Sequence, residues 1–385
     1  MNIAIITGHF PPSKGGGIAE WALGIARELP KLGHTTSVYV THRKDRDLSI
    51  HKDEKFDCHP MYGRNWHEFH RFYAGYYMWK ILKENPDTVF IVTTWGMAKS
   101  FNFLKKRYPK SKMIVVAHGL EITRLKPSRE LSTMTKVVSS SDLVLSVSKF
   151  TRDEIINRLD SINTNHVKFL PNGVDTNRFF PIEANESFLE KYNIPIGSDL
   201  ILTLARIIKR KAHDDVIRAM PDILSAFPQA HYAIAGPHRK KDPYLYFLKQ
   251  LVKDLSLENH VTFIDFIPDE DLKKIYSVSK VYVMASRTLH ETGDSEGFGI
   301  TFLEANACGC PVIGSYEGGI PDAVENEING LLVPSDSPND ISKAIKKLFS
   351  NEDYRKNIVK KGMERVSNKF TWEKLTIQML DMLNS

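Results

Sequence analysis

Cysteine is scarce in this chain, with three in 385 residues: Cys58, Cys308 and Cys310. Three thiols exclude a disulfide framework. One residue separates Cys308 from Cys310, and no other cysteine pair or histidine cluster completes a zinc set. Reduced, mostly buried thiols in a cytoplasmic protein are therefore expected. No uninterrupted apolar run approaches the ~20 residues needed to span a bilayer. The N-terminus, Met1-Asn2-Ile3-Ala4-Ile5-Ile6-Thr7, has no basic stretch before its apolar run, and so reads as a first strand rather than a signal peptide. Internal repeats and low-complexity tracts are missing. A net charge of +6 with 25% charged residues favours anionic ligands or an anionic membrane surface. It falls well short of a nucleic-acid-binding chain, so no nucleic-acid partner is expected.

A chain of this length exceeds one ordinary core, and two domains of about 170–200 residues fit. Short apolar runs alternate with helical patterns. Strands are expected at Ile3 to Ile6, Thr36 to Val40, Val89 to Val92, Met113 to Ala117, Leu143 to Val147 and Val167 to Leu170. A second series runs through Leu200 to Leu204, His231 to Ala235, Val261 to Ile264, Val281 to Met284, Pro311 to Gly314 and Gly330 to Val333. Strand–helix alternation implies α/β domains with parallel sheets covered on both faces. The expected division is a first domain at 1–175, a Pro- and Asn-rich linker at 176–199 and a second domain at 200–370. A final helix follows, with Trp372, Leu375, Met379 and Leu383 at helical spacing.

Two stretches carry the chemistry. Arg206-Ile207-Ile208-Lys209-Arg210-Lys211 follows the apolar run Leu200 to Ala205. Cations at a strand end suit a diphosphate, because Arg offers a planar fork and Lys a mobile point charge. The second stretch is Glu296-Gly297-Phe298-Gly299-Ile300-Thr301-Phe302-Leu303-Glu304. Its two carboxylates can accept hydrogen bonds from hydroxyl groups, and its glycines allow a tight turn whose amides face an anion. A diphosphate at one end and hydroxyls at the other describe a sugar nucleotide.

At these residues the sequence resembles the retaining glycosyltransferases of family GT4. The resemblance implies a GT-B fold: two Rossmann-like domains with parallel sheets facing across an interdomain cleft, the last helix (371–385) crossing back to the first. It implies that Arg206 and Lys211 hold the diphosphate, Glu296 the sugar hydroxyls and Glu304 the ribose. The amides of Gly297, Phe298, Gly299 and Ile300 would serve sugar and phosphate, and Ile267 would hold the base through backbone atoms. Ala205 and Ala212 replace small residues of the family pattern, Ala212 standing at the usual Gly. His118, in His-Gly-Leu-Glu after the run Met113 to Ala117, resembles the family histidine that contacts the transferred sugar. Gly16 and Gly17, in the Gly15-Gly16-Gly17 loop, would approach donor or acceptor; this loop lacks the dinucleotide G-x-G-x-x-G spacing. Tyr316 to Pro321 departs from the family's Gly-Gly-x-x-Glu turn and is given a structural role.

The stretch Phe10 to Ala19, the His118 site and Ser286-Arg287-Thr288 look like the phosphatidylinositol mannosyltransferase branch, which implies GDP-mannose as donor and a glycan or lipid acceptor. Neither a cofactor nor a metal is expected, since no Asp-x-Asp motif is positioned for one and cations grip the diphosphate. Two carboxylates in the ~5–5.5 Å arrangement of a retaining glycosidase are not recognisable either. A UDP-sugar-dependent transferase, a sugar-nucleotide epimerase and a non-catalytic sugar-nucleotide-binding protein remain open. Trp66, Phe69, Tyr73 and Tyr76 form a stripe at helical spacing, with His67 and Arg71 beside it. Core packing is the favoured reading, and the alternative is a peripheral surface for a lipid or glycan at the inner membrane face.

Overall fold

The computed structural model describes residues 1–12, 16–43, 47–62, 70–124, 128–159, 162–183, 185–239 and 241–385. The chain divides into two units, one formed by Met1–Gly173 with Trp372–Ser385 and the other by Val174–Thr371. The first contains β1 (Asn2–Thr7), β2 (Thr35–Thr41), β3 (Asp57–Met61), β4 (Val89–Val92), β5 (Lys112–Ala117), β6 (Leu143–Ser146) and β7 (Val167–Phe169). They form one parallel seven-stranded sheet in the order β3-β2-β1-β4-β5-β6-β7. The central strands are buried along nearly their whole length, β4 and β6 throughout. That requires cover on both faces, which explains why their sequences are apolar runs rather than alternations.

In the second unit, β8 (Asp199–Leu204), β9 (Ala230–Ala235), β10 (Val261–Ile264), β11 (Val281–Met284), β12 (Val312–Ser315) and β13 (Gly330–Val333) form a second parallel sheet, in the order β10-β9-β8-β11-β12-β13. Both sheets reverse direction of growth beside their first strand. The reversal lies between β1 and β4 in the first unit and between β8 and β11 in the second.

Three readings of the sequence need correction. β3 was not expected: Asp57-Cys58-His59-Pro60-Met61 is polar, buries only Met61 and carries a proline, all of which an edge strand tolerates. The segment 176–199 is not a free linker. Phe179, Leu189, Tyr192 and Ile194 are buried, and Asp271 anchors the segment by accepting from Lys191 Nζ at 2.7 Å and Tyr192 Oη at 2.6 Å. On the helix His70–Glu84 the core face is Ala74, Met78 and Leu82, whereas Tyr76 is 52% exposed. Trp66, His67, Phe69 and the Arg71 side chain lie outside the described residues.

The helix Trp372–Asn384 packs on the first unit through Trp372, Leu375, Met379, Leu380 and Leu383. Its contact with the helix Gly17–Glu28 depends on a missing side chain: a methyl group on Gly24 would lie 2.3 Å from the Trp372 ring, and one on Gly173 2.7 Å. The indole therefore rests directly on backbone. Trp372→Ala should remove about 3–5 kcal/mol from the stability of the first unit. Denaturant unfolding followed by circular dichroism checks this, with a lowered midpoint for the variant.

Candidate active site

In open α/β sheets the loops leaving two neighbouring strands in opposite directions open a crevice at the strands' carboxyl ends. The second unit has that geometry between β8 and β11. After β8, Ile207 N–H donates to the Pro237 carbonyl at 3.2 Å, and Lys209–Lys211 form one tight turn before the helix His213–Ala226. Arg206 is exposed, while Arg210 and Lys211 are only 4% and 9% exposed. The loop is pinned from behind. The His213 ring Nε2 lies 3.1 Å from the Arg206 carbonyl oxygen, and Arg287 N–H donates to the Arg210 carbonyl at 2.9 Å. Burial pushes His213 down to about 4, so its ring is neutral and Nε2 is the donor to that carbonyl.

After β11 the chain passes Arg287, whose guanidinium bonds Asp214 at 3.0 Å and Asp215 at 2.7 Å. It continues to Glu296. The Tyr316 to Pro321 segment supports Glu296 from below: Gly319 N–H donates to the Glu296 carbonyl at 2.9 Å, and Gly318 has φ +56° with no room for a side chain, since a methyl group would sit 2.4 Å from that oxygen.

Glu296 Oε2 accepts from both Arg210 Nη1, at 2.5 Å, and Lys211 Nζ. Burial acts to raise the Glu296 carboxyl, but the two cations outweigh it and hold it down at about 2. Burial likewise pushes the Lys211 ammonium down to about 8, against the pull of Glu296. The site is thus an ionised triad with one positive charge in excess. Arg210 had no assigned role in the sequence reading; the run Lys209-Arg210-Lys211 contained the signal, but not which cation turns inward.

Gly299 caps the helix Ile300–Ala307, on which Glu304 is buried and accepts from Tyr276 Oη at 2.9 Å. Gly297 and Ile300 are partly exposed beside the turn. The Phe298 side chain is buried, its ring 6.2 Å from Phe370, so only its backbone is available to a ligand. Ile267 is buried too, in the loop after β10.

The remaining expected residues belong to the first unit. His118 follows β5, its ring edge-on to Trp21 at 5.9 Å, and its backbone N–H donates to the Glu121 carboxylate. Burial, with His9 nearby, pushes its imidazole down to about 3, and Nε2 has no partner among the described residues. Gly16 (φ +63°) and Gly17 start the helix Gly17–Glu28, both exposed; Gly15 lies outside the described residues. Among the described residues no three His, Cys, Asp or Glu side chains group to hold a metal ion. The Asp269-Glu270-Asp271 triplet is engaged in ion pairs, Asp269 with Arg178 and Asp271 with Lys191 and Lys274.

Ala212 is fully buried with φ +54°. A left-handed conformation costs a Cβ-bearing residue about 1–3 kcal/mol, most for branched side chains. Ala212→Val should therefore lower the unfolding midpoint of the second unit, whereas Ala212→Gly should not; thermal unfolding of the two variants checks the difference.

Comparison with known proteins agrees with this geometry. The family description "Glycosyltransferase Family 4" matches residues 15–178 and "Glycosyl transferases group 1" matches residues 185–365. The chain is 27% identical to a GDP-mannose-dependent alpha-(1-6)-phosphatidylinositol monomannoside mannosyltransferase of Mycobacterium tuberculosis, over 99% of this chain and 97% of the relative. It is 24% identical to the mannosylfructose-phosphate synthase of Agrobacterium fabrum, over 99% of this chain and 90% of the relative. Among solved structures, a glycosyltransferase from Rickettsia africae superposes with a TM-score of 0.82 at 20% identity, covering 100% of this chain and 97% of that one. The chain belongs to the family 4 glycosyltransferases and has the GT-B fold.

Proposed function

We propose that the crevice between β8 and β11 binds a sugar nucleotide and that the enzyme transfers mannose from GDP-mannose, with retention, to a lipid, glycolipid or glycan acceptor. One observation carries this reading: two cations and a carboxylate are assembled at the switch point of the second sheet, with one positive charge in excess for an incoming diphosphate. The relatives' names support mannose, since both name a mannosyl product or donor, with acceptors of different kinds.

In this reading Arg206 and Lys211 stabilise the charge that gathers on the diphosphate as the anomeric C1–O bond breaks and its electron pair moves to the leaving oxygen. Glu296 accepts from hydroxyls of the sugar, and Glu304 from the ribose. The backbone at Gly297, Phe298, Gly299 and Ile300 donates to sugar and phosphate, and the backbone at Ile267 holds the base. The acceptor oxygen bonds C1 on the face the diphosphate leaves, and its proton passes to the departing phosphate oxygen. His118, held neutral, hydrogen-bonds a sugar hydroxyl and takes no base role; Gly16 and Gly17 offer backbone amides. No cofactor or metal takes part.

Membrane contact is peripheral. No helix among the described residues is long and apolar enough to cross a bilayer. Tyr76 and Trp79 (52% and 37% exposed) lie beside Lys80 and Lys83 on the helix His70–Glu84, with Phe103 79% exposed on the helix Phe101–Arg107. Aromatics beside cations suit the interface of an anionic leaflet at the cytoplasmic face.

Offering a panel of sugar nucleotides to lipid and glycan extracts, with mass spectrometry of the products, tests the function. A hexose added from GDP-mannose is expected. Transfer from UDP-sugars alone, or donor turnover without any acceptor, contradicts the reading. Within the site, Glu304→Ala should weaken binding of free GDP and of GDP-mannose alike, whereas Glu296→Ala should harm transfer and spare free GDP; calorimetric titration separates the two. Transfer should also persist in excess EDTA, and loss restored by Mg²⁺ or Mn²⁺ would show that a metal is needed.

A further inference from the structure

Lys211 and Glu296 have roles in the donor-site reading, but Arg210, which bonds the same carboxylate, has none. Its side chain is more deeply placed than that of Lys211, 5% against 10% exposed. Its main chain is fixed as well, because its carbonyl accepts from Arg287 N–H at 2.9 Å. Arg287 is itself held by Asp214 at 3.0 Å, Asp215 at 2.7 Å and Asp336 at 3.0 Å. Arg210 is therefore anchored at both ends.

Both bonds to Glu296 arrive at Oε2, and among the described residues none arrives at Oε1. One carboxylate oxygen is thus committed to the cations and the other is left for a ligand hydroxyl. The two cations differ in what they can do next. An ammonium on a four-carbon stem swings readily from one oxygen to another, whereas a guanidinium anchored by a fixed backbone does not. A diphosphate arriving beside Lys211 would compete with Glu296 for that ammonium. The carboxylate would then be buried with Arg210 as its remaining partner, and a buried carboxylate without a cation takes up a proton.

We infer that Arg210 is a positioning residue for transfer: it holds the Glu296 carboxylate in place, with Oε1 directed to the sugar, while Lys211 turns to the diphosphate. The inference rests on the donor-site reading above. It divides the basic run by task, Arg206 and Lys211 for phosphate and Arg210 for the carboxylate that meets the sugar.

Arg210→Gln and Arg210→Lys test it in the full-length enzyme, with GDP as the binding probe and GDP-mannose as donor. Wild type must first bind GDP; if it does not, the donor-site reading falls and takes this inference with it. Given binding, Arg210→Gln should keep its GDP affinity within about twofold while kcat falls on the order of 10²-fold, the loss that a ~1 Å misplacement brings. Among the described residues, the charged groups that act most strongly on Glu296 are Arg210 and Lys211 from the loop after β8, with the Tyr282 hydroxyl from β11 near it. Loss of one cation should therefore move the acid limb of the kcat profile upward by about 1–3 pH units. Arg210→Lys, which keeps a cation, should return the limb toward wild type but recover only part of the rate, because an ammonium holds the carboxylate less firmly than a guanidinium. Arg210→Gln should also lower the melting temperature, as loss of a buried ion-pair partner does; a purely structural role would do that and leave the pH limb where it was, which would overturn the inference. Loss of GDP affinity with an unchanged pH limb would make Arg210 a phosphate contact and overturn the inference, as would a wild-type kcat in Arg210→Gln. If Arg210→Gln does not fold, Arg210→Met, which also removes the cation, decides through the same pH limb and GDP affinity.

Discussion

Charges withdrawn from water need partners, and the second unit withdraws three of them at one point. Arg210 and Lys211 are buried at the end of β8, and Glu296, arriving from the end of β11, meets both on a single oxygen. Removing one member of such a group typically costs about 3–5 kcal/mol, because a buried charge is left uncompensated. The surrounding structure follows from that constraint. β8 and β11 must be neighbours, which the strand order provides. The basic loop must end in a tight turn, which Ala212 completes in a left-handed conformation. The backbone of Glu296 must be carried close to the Gly318–Gly319 turn, where a side chain has no space.

Most of the architecture was legible because parallel strands buried on both faces leave apolar runs that local sequence cannot disguise. Legibility failed where burial was one-sided. β3 lies at a sheet edge, so Asp57 and His59 are tolerated and no apolar run marks it. The helix His70–Glu84 misled in the opposite sense: its aromatics are conspicuous, yet small and flexible Ala74, Met78 and Leu82 fill the core while Tyr76 faces outward. The segment 176–199 looked like a linker from its prolines and asparagines, but its attachment depends on Asp271, far along the chain and invisible to local pattern.

The candidate site shows the same limit on a smaller scale. Glu296, Lys211 and Glu304 stood out through their motifs. Arg210 did not, because adjacent cations in a turn point in different directions and only the fold selects which is buried. Arg287 lay in a motif, but its task was hidden, since its partners Asp214 and Asp215 lie on another element. In the first unit the same strand order recurs, and His118 follows β5 on the far side of the β1/β4 reversal. Its ring is kept neutral by burial against Trp21. Each unit thus brings its expected ligand contacts to loops at the carboxyl ends of its own sheet, a placement that topology imposes before any side chain is chosen.

The central claim is that the second unit binds the donor across the β8/β11 switch point. Amide hydrogen exchange of the full-length enzyme, with and without GDP, tests it most directly. Within the second unit the account predicts new protection confined to residues 205–213 and 285–304, with smaller changes around Ile267. Protection at the opposite, amino-terminal ends of β8 and β11, or none in the second unit at a GDP concentration that saturates binding, would contradict it.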